Sequence, residues 1–503
     1  MTDRPRVLWF GRPPSPVDLR EAKNRHLKVE VVGHGSTPSF IYARAAIFWA
    51  TSQHFEAAVE DLEANLAGAV DHGLFVLVVV DGELNRREIS QILEKALPAQ
   101  EAAAQCQIRV NYASQTVESH EAFHVALTHN PGPAAKAALR ITALDDTKLS
   151  DGQVLLLQRA FHDCDWITLT SIKGGFSGAL TLLIYAKLST SFAGSKPLPF
   201  FAKLDTFVKA KQEIQKFAQY AEHHIRWYLR PNFIAERCIF GVREGILVGS
   251  FVDASKSLWE TVCAGEGPRH VRSLFKETLH GLRHDSHSRH MTSVVEPLAS
   301  FCDHTQIPPE RVEAAKALGG LVYEARSLWR KLISLPAEQW RACGIHGDMH
   351  GENARVRKDD VIVIDFTHAA TGPMCADLAS LDVWLAFKMV PDSKAGPNAW
   401  RDWVDALYRP ETIELNMTGR ALDGTEDVVA PCLLEIRQLA KECTASALEY
   451  QRVLALYLLR CATFPPDASS GVDDESRRTC AYWLANRLIL ALTDESQTQP
   501  VSA

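Results

Sequence analysis

Hydrophobic and polar residues follow two alternating patterns over the first 140 residues. Short apolar runs of strand length, such as RVLWFG (6–11) and LFVLVVVDG (74–82), are separated by segments with apolar residues at helical spacing, such as FEAAVEDLEANLAGAVDHG (55–73). Five strands that alternate with helices predict a parallel sheet covered by helices on both faces. The pattern therefore predicts an α/β domain over residues 1–140.

Near residue 150 the pattern changes to that of an α+β domain. ITLTSIKGGFSGALTLLIYAKL (167–188) predicts two strands joined at a glycine-rich turn, and LPFFAKLD (198–205) predicts a third strand. A helix at 208–227 and a strand pair at 236–253 follow, and the chain beyond them is mostly helical. We therefore expect a β-rich part at 150–255, a helical part at 256–495 and a polar tail at 496–503.

Three polar side chains surround a hairpin that the pattern predicts within 344–366. Asp348 and Asn353 lie in the loop before the hairpin, and Asp365 ends its second strand, VIVIDF (361–366). The carboxylate of Asp365 and the amide of Asn353 are hard oxygen ligands that suit Mg²⁺, an ion that keeps its other positions for water and phosphate oxygens. Asp348 then remains to accept a proton from a hydroxyl nucleophile. Phosphoryl transfer requires this division of labour.

Three sequence blocks in this region resemble a known family. HGDMHGEN (346–353), VIDF (363–366) and GPMCADLA (372–379) resemble the aminoglycoside phosphotransferase and choline kinase family, a small-molecule branch of the protein-kinase fold. The resemblance implies a two-lobed, protein-kinase-like domain that uses ATP and Mg²⁺. The roles that it implies are a catalytic base at Asp348, Mg²⁺ ligands at Asn353 and Asp365, and a brace for the catalytic loop at Asp377.

The resemblance also implies a nucleotide site in the β-rich part. Lys203, in FFAKLD, resembles the strand lysine that contacts the α- and β-phosphates, and Glu213 in the following helix would orient it, with Glu222 as the alternative. The glycine-rich turn would bring backbone N–H groups to the phosphates. The expected nucleotide-binding residues are Gly174, Gly175, Ser177 and Gly178 in this turn, Lys203, and Ser250 and Val252 at the hinge beside the adenine.

The α/β domain has a resemblance of its own. Its five strand–helix units resemble the receiver domain of bacterial response regulators, which has a flavodoxin-like fold; an unrelated α/β domain is the alternative. A working receiver needs carboxylates after its first and third strands, whereas these strands end in WFGRPP (9–14) and FWATSQ (48–53). Asp81 follows the fourth strand, where that family has Ser or Thr. The sequence thus predicts a receiver-like domain without a phosphoacceptor, serving for docking or self-association.

Composition and charge exclude several other classes. The chain of 503 residues has a formal net charge of −7, which argues against a nucleic-acid-binding protein. Its longest apolar run, GLFVLVVV (73–80), is far shorter than the roughly 20 residues that cross a bilayer, so no membrane association is expected. Eleven cysteines without a C-x-x-C pair indicate free thiols in a reducing compartment. The expected location is the cytoplasm.

Two classes of function fit these observations. The first is an ATP- and Mg²⁺-dependent phosphotransferase that moves the γ-phosphoryl group to a hydroxyl of a small molecule or a protein, in bacterial signalling or defence. Residues 1–140 would then bind a protein partner or a second copy of the chain. The alternative is a pseudokinase or nucleotide-sensing scaffold, but all three phosphoryl-transfer residues are intact. A purely structural interaction protein would leave the three sequence blocks unexplained.

Overall fold

The computed structural model describes the following residues: 4–96, 108–112, 117–172, 179–190, 195–252, 254–284, 289–388, 397–414, 428–466 and 473–498. The chain divides into two compact units. The first comprises Met1–Gln212 and Asn232–Phe251, and the second comprises Glu213–Pro231 and Val252–Ala503. The α/β part and most of the β-rich part therefore lie together in the first unit.

The first unit begins with a five-stranded parallel sheet in the order β2-β1-β3-β4-β5. Its elements are β1 (Arg6–Phe10), α1 (Pro16–Asn24), β2 (Lys28–Val31), β3 (Ala43–Ala50), α2 (Phe55–Asp71), β4 (Phe75–Val80), α3 (Glu83–Ala96), β5 (Ile108–Tyr112) and α4 (Val117–Thr128). Every residue of β4 is buried, because helices cover both faces of the sheet, and this explains its continuous apolar run. The predicted parallel sheet is confirmed, although a loop at 32–42, not a helix, joins β2 to β3.

A six-stranded sheet in the order β10-β11-β9-β8-β7-β6 completes the first unit. Its strands and the helices between them in the chain are β6 (Arg140–Ala143), α5 (Asp151–Ala160), β7 (Cys164–Ser171), β8 (Leu180–Leu188), β9 (Phe200–Thr206), α6 (Phe207–Lys216), β10 (Ile239–Phe240) and β11 (Glu244–Ser250). The division between the two units falls within α6, after Gln212. Neighbouring strands are antiparallel except β6, which runs parallel to β7. The sequence predicts all of these strands except β6, a half-exposed edge strand of 4 residues that is too short to show a pattern.

The helix predicted at 208–227 is shorter in the structure. Helix α6 ends at Lys216 and continues as a single π-helical turn, Phe217–Ala221. A separate 3-10 turn, Trp227–Leu229, follows. The apolar spacing continues beyond the helix because Phe217 and Ala221 are also buried, so periodicity alone overestimates its length.

The second unit combines helices with two small sheets, in the orders β12-β15-β16 and β13-β14-β17. Its strands are β12 (Lys256–Ser257), β13 (Arg289–Thr292), β14 (Glu338–Ile345), β15 (Ala354–Arg357), β16 (Asp360–Val363) and β17 (Ala370–Pro373). Its helices are α7 (Leu258–Cys263), α8 (Gly267–Ser273), α9 (His280–His284), α10 (Pro309–Ala317), α11 (Ala325–Ile333), α12 (Ala376–Phe387), α13 (Pro397–Leu407), α14 (Pro410–Glu414), α15 (Ala430–Cys443), α16 (Ala447–Cys461) and α17 (Asp473–Thr498). Helix α16 is buried along most of its length.

The hairpin of β15 and β16 forms as predicted. Strands β13 and β17 and most of β14 lie outside 344–366, where mainly helix was predicted. Strand β14, EQWRACGI, mixes charged, small and apolar residues and shows no clear alternation, so its strand character depends on pairing with β13 and β17. Helix α17 continues to Thr498, inside the segment 496–503 that was predicted as a tail. Among the helices of the described segments, none is both long and apolar enough to span a membrane.

Candidate active site

The loop 346–353 connects β14 to β15 and is held at its start by Asp377 from α12. The Asp377 carboxylate accepts hydrogen bonds from the backbone N–H groups of His346 (2.8 Å) and Gly347 (2.9 Å). Burial raises the pKa of Asp377. Gly347 has a φ of +80°, and a Cβ atom there would lie 2.3 Å from the carbonyl oxygen of His368, so only glycine fits.

The imidazole of His346 ties this loop to the segment after β16. His346 is fully buried, and its Nδ1 lies 3.4 Å from the backbone nitrogen of Asp348. Because a backbone N–H can only donate, Nδ1 must accept and the proton must sit on Nε2. Nε2 then donates to the carbonyl oxygen of Ile364 at 3.0 Å. His346 therefore fixes Asp348 on one side and the residue before Asp365 on the other.

Asn353 and Asp365 are brought to the same place by the backbone. The N–H of Ile364 donates to the carbonyl oxygen of Asn353 at 2.9 Å, which places Asn353 opposite the residue before Asp365. Asp365 has a φ of +63°, a left-handed conformation that is uncommon for a residue other than glycine. Its Oδ1 accepts hydrogen bonds from the hydroxyl (2.7 Å) and the N–H (3.3 Å) of Thr367. The backbone and Thr367 together orient the Asp365 carboxylate.

The donor set at this position fits a hard divalent cation. The amide nitrogen Nδ2 of Asn353 donates to the carbonyl oxygen of Asp348 at 2.9 Å, so Oδ1 is the amide atom left for a metal. One amide and one carboxylate oxygen suit Mg²⁺, which takes its remaining ligands from water and phosphate. The described residues contain no group of three or more His, Cys, Asp or Glu side chains that could hold a metal ion. A site that completes its coordination with phosphate needs no such group.

Asp348 is paired with an arginine that the sequence did not indicate. Arg460, near the end of α16, donates from Nη2 to Oδ1 of Asp348 at 2.7 Å. Burial acts to raise the pKa of Asp348, but the charge of Arg460 and smaller effects of neighbouring histidines outweigh it, and the pKa lies below its ordinary value. Asp348 is therefore ionised at neutral pH. The two residues are far apart in the sequence, and no motif joins them.

His350 and Trp384 form an apolar wall beside Asp348. The two rings are stacked, with centroids 5.6 Å apart. Burial lowers the pKa of His350 to about 4, so the ring is neutral at pH 7. Its Nε2 lies 3.7 Å from Oδ2 of Asp348, beyond hydrogen-bond distance. A Cβ atom on Gly351 would lie 2.5 Å from Trp384, so the glycine allows this close packing.

The expected nucleotide-binding residues are distributed between the two units. Lys203 is buried in the middle of β9, opposite Leu247 of β11, in the first unit. Glu213 belongs to the second unit, where its Oε2 accepts a hydrogen bond from the Thr367 hydroxyl at 3.1 Å. The pairing of Lys203 with Glu213 stays a prediction. The Thr367 contact was not expected, since it joins residues more than a hundred positions apart.

The other residues predicted to bind the nucleotide are those at the hinge and in the glycine-rich turn. Ser250 is the last residue of β11 and is exposed, and Val252 follows two residues later. Their contact with adenine stays a prediction. The glycine-rich turn lies outside the described residues, and this applies to Gly174, Gly175, Ser177 and Gly178.

Comparison with known sequences gives one match. The sequence profile of a family described as the phosphotransferase enzyme family matches residues 283–414. The matched segment contains the whole loop 346–353, Asp365 and Asp377. No curated protein matches the chain.

Solved structures of several kinases are similar to the chain at low identity. A putative aminoglycoside phosphotransferase from Ralstonia eutropha is 11% identical over 65% of this chain and 93% of its own, with a TM-score of 0.36. A glucosamine kinase in complex with glucosamine, ADP and inorganic phosphate is 14% identical over 69% and 84%, with a TM-score of 0.32. The amicoumacin kinase hAmiN, in complex with AMP-PNP, Ca²⁺ and Ami, is 11% identical over 65% and 88%, with a TM-score of 0.32.

Proposed function

We propose that the protein is an ATP- and Mg²⁺-dependent phosphotransferase that moves the γ-phosphoryl group to an alcohol hydroxyl. One observation carries the proposal: Asp348, Asn353 and Asp365 are held together by a buried network of backbone and side-chain hydrogen bonds. This network lies within the segment that matches a phosphotransferase family. A network of this kind costs desolvation, and it is expected where a reaction needs fixed charges.

In the proposed reaction Asn353 and Asp365 would hold the metal ion and Asp348 would orient the acceptor. The ion held by these two residues would supply positive charge that stabilises the transferred phosphoryl group. Asp348 is ionised at neutral pH and would accept a hydrogen bond from the acceptor hydroxyl, then its proton as the transfer proceeds. The neutral ring of His350, stacked on Trp384, would add no positive charge that competes for the Asp348 carboxylate. Catalysis would come from positioning and electrostatics.

The β-rich part of the chain would supply the residues that contact the phosphates and the adenine. Lys203 would contact the α- and β-phosphates, with Glu213 orienting it, and the glycine-rich turn would cover the phosphates. Backbone groups near Ser250 and Val252 would meet the adenine. These roles follow from the sequence resemblance and from the position of Lys203 on β9, which lies between β8 and β11 in a predominantly antiparallel sheet.

The N-terminal sheet supports a receiver-like domain as part of the proposal. Its order, 2-1-3-4-5, is the flavodoxin-like order of doubly wound sheets. The residues after β1 and β3 are Gly11 and Thr51, so neither strand is followed by a carboxylate. We assign this domain to docking or self-association. The whole protein would act in signalling or defence in the cytoplasm, with a small molecule or a protein as the acceptor, and would bind neither nucleic acid nor a membrane.

Transfer of labelled phosphate from ATP tests the function. The wild type and the Asp348→Ala variant are incubated with γ-³²P-ATP, Mg²⁺ and fractions of a bacterial lysate as the acceptor source. Loss of the carboxylate should reduce transfer by a factor on the order of 10² to 10⁴, the range for a positioned acid–base group. Binding of Mg·ATP should be nearly unchanged, because Asp348 is not a proposed metal ligand.

Asp359→Ala is the matched control. Asp359 lies in the turn between β15 and β16, and its side chain is 88% exposed. Its replacement by alanine should leave phosphate transfer unchanged. A wild type that binds Mg·ATP but transfers phosphate to no fraction would favour the pseudokinase alternative. An Asp348→Ala protein as active as the wild type would refute the mechanism.

A further inference from the structure

Arg460 is a buried cation that the proposed reaction has not yet used. It is only 7% exposed and lies one residue before the end of α16. Its guanidinium carbon lies 5.9 Å from the ring centroid of Phe301, 5.8 Å from that of Tyr457 and 5.6 Å from that of Phe464. A charge buried among aromatic rings is costly unless it is paired, so its partners indicate its role.

The guanidinium holds the loop 346–353 at two points simultaneously. Nη2 donates to Oδ1 of Asp348 at 2.7 Å, and Nη1 donates to the carbonyl oxygen of Gly347 at 3.1 Å. The first contact fixes the side chain of Asp348, and the second fixes the peptide group immediately before it. A planar guanidinium can make both contacts with little loss of conformational entropy, whereas a lysine ammonium lacks the fork.

The contact with Arg460 gives the two oxygens of the Asp348 carboxylate different surroundings. Oδ1 is engaged by Arg460, while Oδ2 faces the neutral ring of His350, whose Nε2 is 3.7 Å away. The side chain of Asp348 keeps 27% of its surface exposed. Oδ2 is therefore the oxygen that can meet an acceptor hydroxyl, and Arg460 determines where it lies.

We propose that Arg460 is a positioning residue for phosphoryl transfer, one that fixes the Asp348 carboxylate in the orientation that receives the acceptor. The inference rests on the proposed function. This role acts through Asp348 and does not require Arg460 to touch the nucleotide.

Arg460→Met tests this role while keeping most of the apolar packing of the side chain. The probe is ATP hydrolysis in a single turnover, with Mg²⁺ present and water as the acceptor, measured beside Mg·ATP affinity by calorimetry. We expect the hydrolysis rate to fall by about 10²-fold, the cost of a misplaced reacting group. The affinity for Mg·ATP should stay at the wild-type value, and Arg460→Lys should retain part of the rate.

Chemical rescue distinguishes positioning from a merely structural role. In Arg460→Ala the space left among the three rings can admit guanidinium, which should restore part of the rate at concentrations far below those that unfold proteins. Sodium chloride at the same ionic strength should not do so, and Asp348→Ala should not respond to guanidinium.

Three outcomes would overturn the inference. Unchanged hydrolysis in Arg460→Met would show that the contact is not needed. A parallel loss of rate and Mg·ATP affinity without rescue would show a structural role only. A wild type that neither hydrolyses ATP nor transfers phosphate to any lysate fraction would refute the proposed function itself and this role with it, whereas an active wild type with an equally active Arg460→Met would refute this role alone. If the wild type transfers phosphate without hydrolysing ATP, the same comparison is made on the rate of transfer.

Discussion

The carboxyl edge of the parallel sheet and the loop 346–353 are both places where the chain could build a ligand site, and the two are built in opposite ways. Doubly wound sheets bind ligands at the carboxyl ends of their strands. Here Trp9 and Trp49, near the ends of β1 and β3, stack with centroids 5.5 Å apart, and Arg12 covers Trp49 at 3.6 Å. Polar groups converge on Asp348, whereas two stacked aromatic rings covered by an arginine lie near the ends of β1 and β3.

The contrast shows that topology does not determine where the chemistry lies. The order of the parallel sheet is one that often carries a ligand site, yet Asp81, the carboxylate that follows β4, is engaged by the N–H of Ser52 (2.7 Å) and the amide of Asn85 (2.9 Å). The loop 346–353 follows a strand that the sequence did not predict, yet Asp348 and Asn353 in this loop are joined with Asp365 in one hydrogen-bond network. Function is a property of such networks.

Removing a carboxylate from each region should have very different effects on stability. Asp377→Ala leaves the buried N–H groups of His346 and Gly347 without an acceptor, at a cost of about 1–3 kcal/mol each. Asp81→Ala removes hydrogen bonds at an exposed edge, where water replaces them. Urea unfolding, with hydrogen exchange of the loop 346–353 as a local measure, should show a large loss only for Asp377→Ala. Equal losses would contradict the contrast.

The stability of the second unit should also depend on pH, because this unit contains a buried carboxyl group. Burial raises the pKa of Glu449, on α16, from an ordinary 4.5 to about 7. Between these two values the unfolded chain releases a proton that the folded chain retains, so stability falls as pH rises and the full penalty is present above pH 7. A pKa difference of about 2.5 corresponds to a loss of roughly 3 kcal/mol in the free energy of unfolding.

Glu449→Gln should remove this penalty because glutamine stays neutral. The variant should unfold at a higher urea concentration than the wild type at pH 8, and the advantage should shrink towards pH 5. Glu442→Gln, which changes an exposed side chain on α15, is the control and should show no such trend. A Glu449→Gln advantage that is the same at pH 5 and pH 8 would contradict the assignment.

The smallest effect is expected at the carboxyl edge of the parallel sheet. Acetyl phosphate should phosphorylate no residue there. No carboxylate follows β1 or β3, and both oxygens of Asp81 accept hydrogen bonds. The intact mass of the full chain after incubation with acetyl phosphate and Mg²⁺ should therefore be unchanged. An added phosphate that disappears in Asp81→Asn would show that the edge is a working phosphoacceptor after all.

The sequence predicted the features that depend on neighbouring residues and missed those that depend on distant ones. The apolar run of β4 indicates a strand buried on both faces, and Asp348 and Asn353 share one motif. Arg460 reaches Asp348 from a helix 112 residues away, and no spacing predicts this contact. Strand β14 is likewise stabilised by partners on either side of it in the chain, so its own residues do not identify it.

The central claim is that Asn353 and Asp365 hold a metal–nucleotide complex beside Asp348. The most direct test is calorimetric titration of ATP into the wild type and Asp365→Asn, each with Mg²⁺ and with a chelator. The wild type should bind ATP more tightly with Mg²⁺, and Asp365→Asn should lose most of this gain because a charged oxygen ligand becomes neutral. The same Mg²⁺-dependent gain in both proteins would contradict the claim.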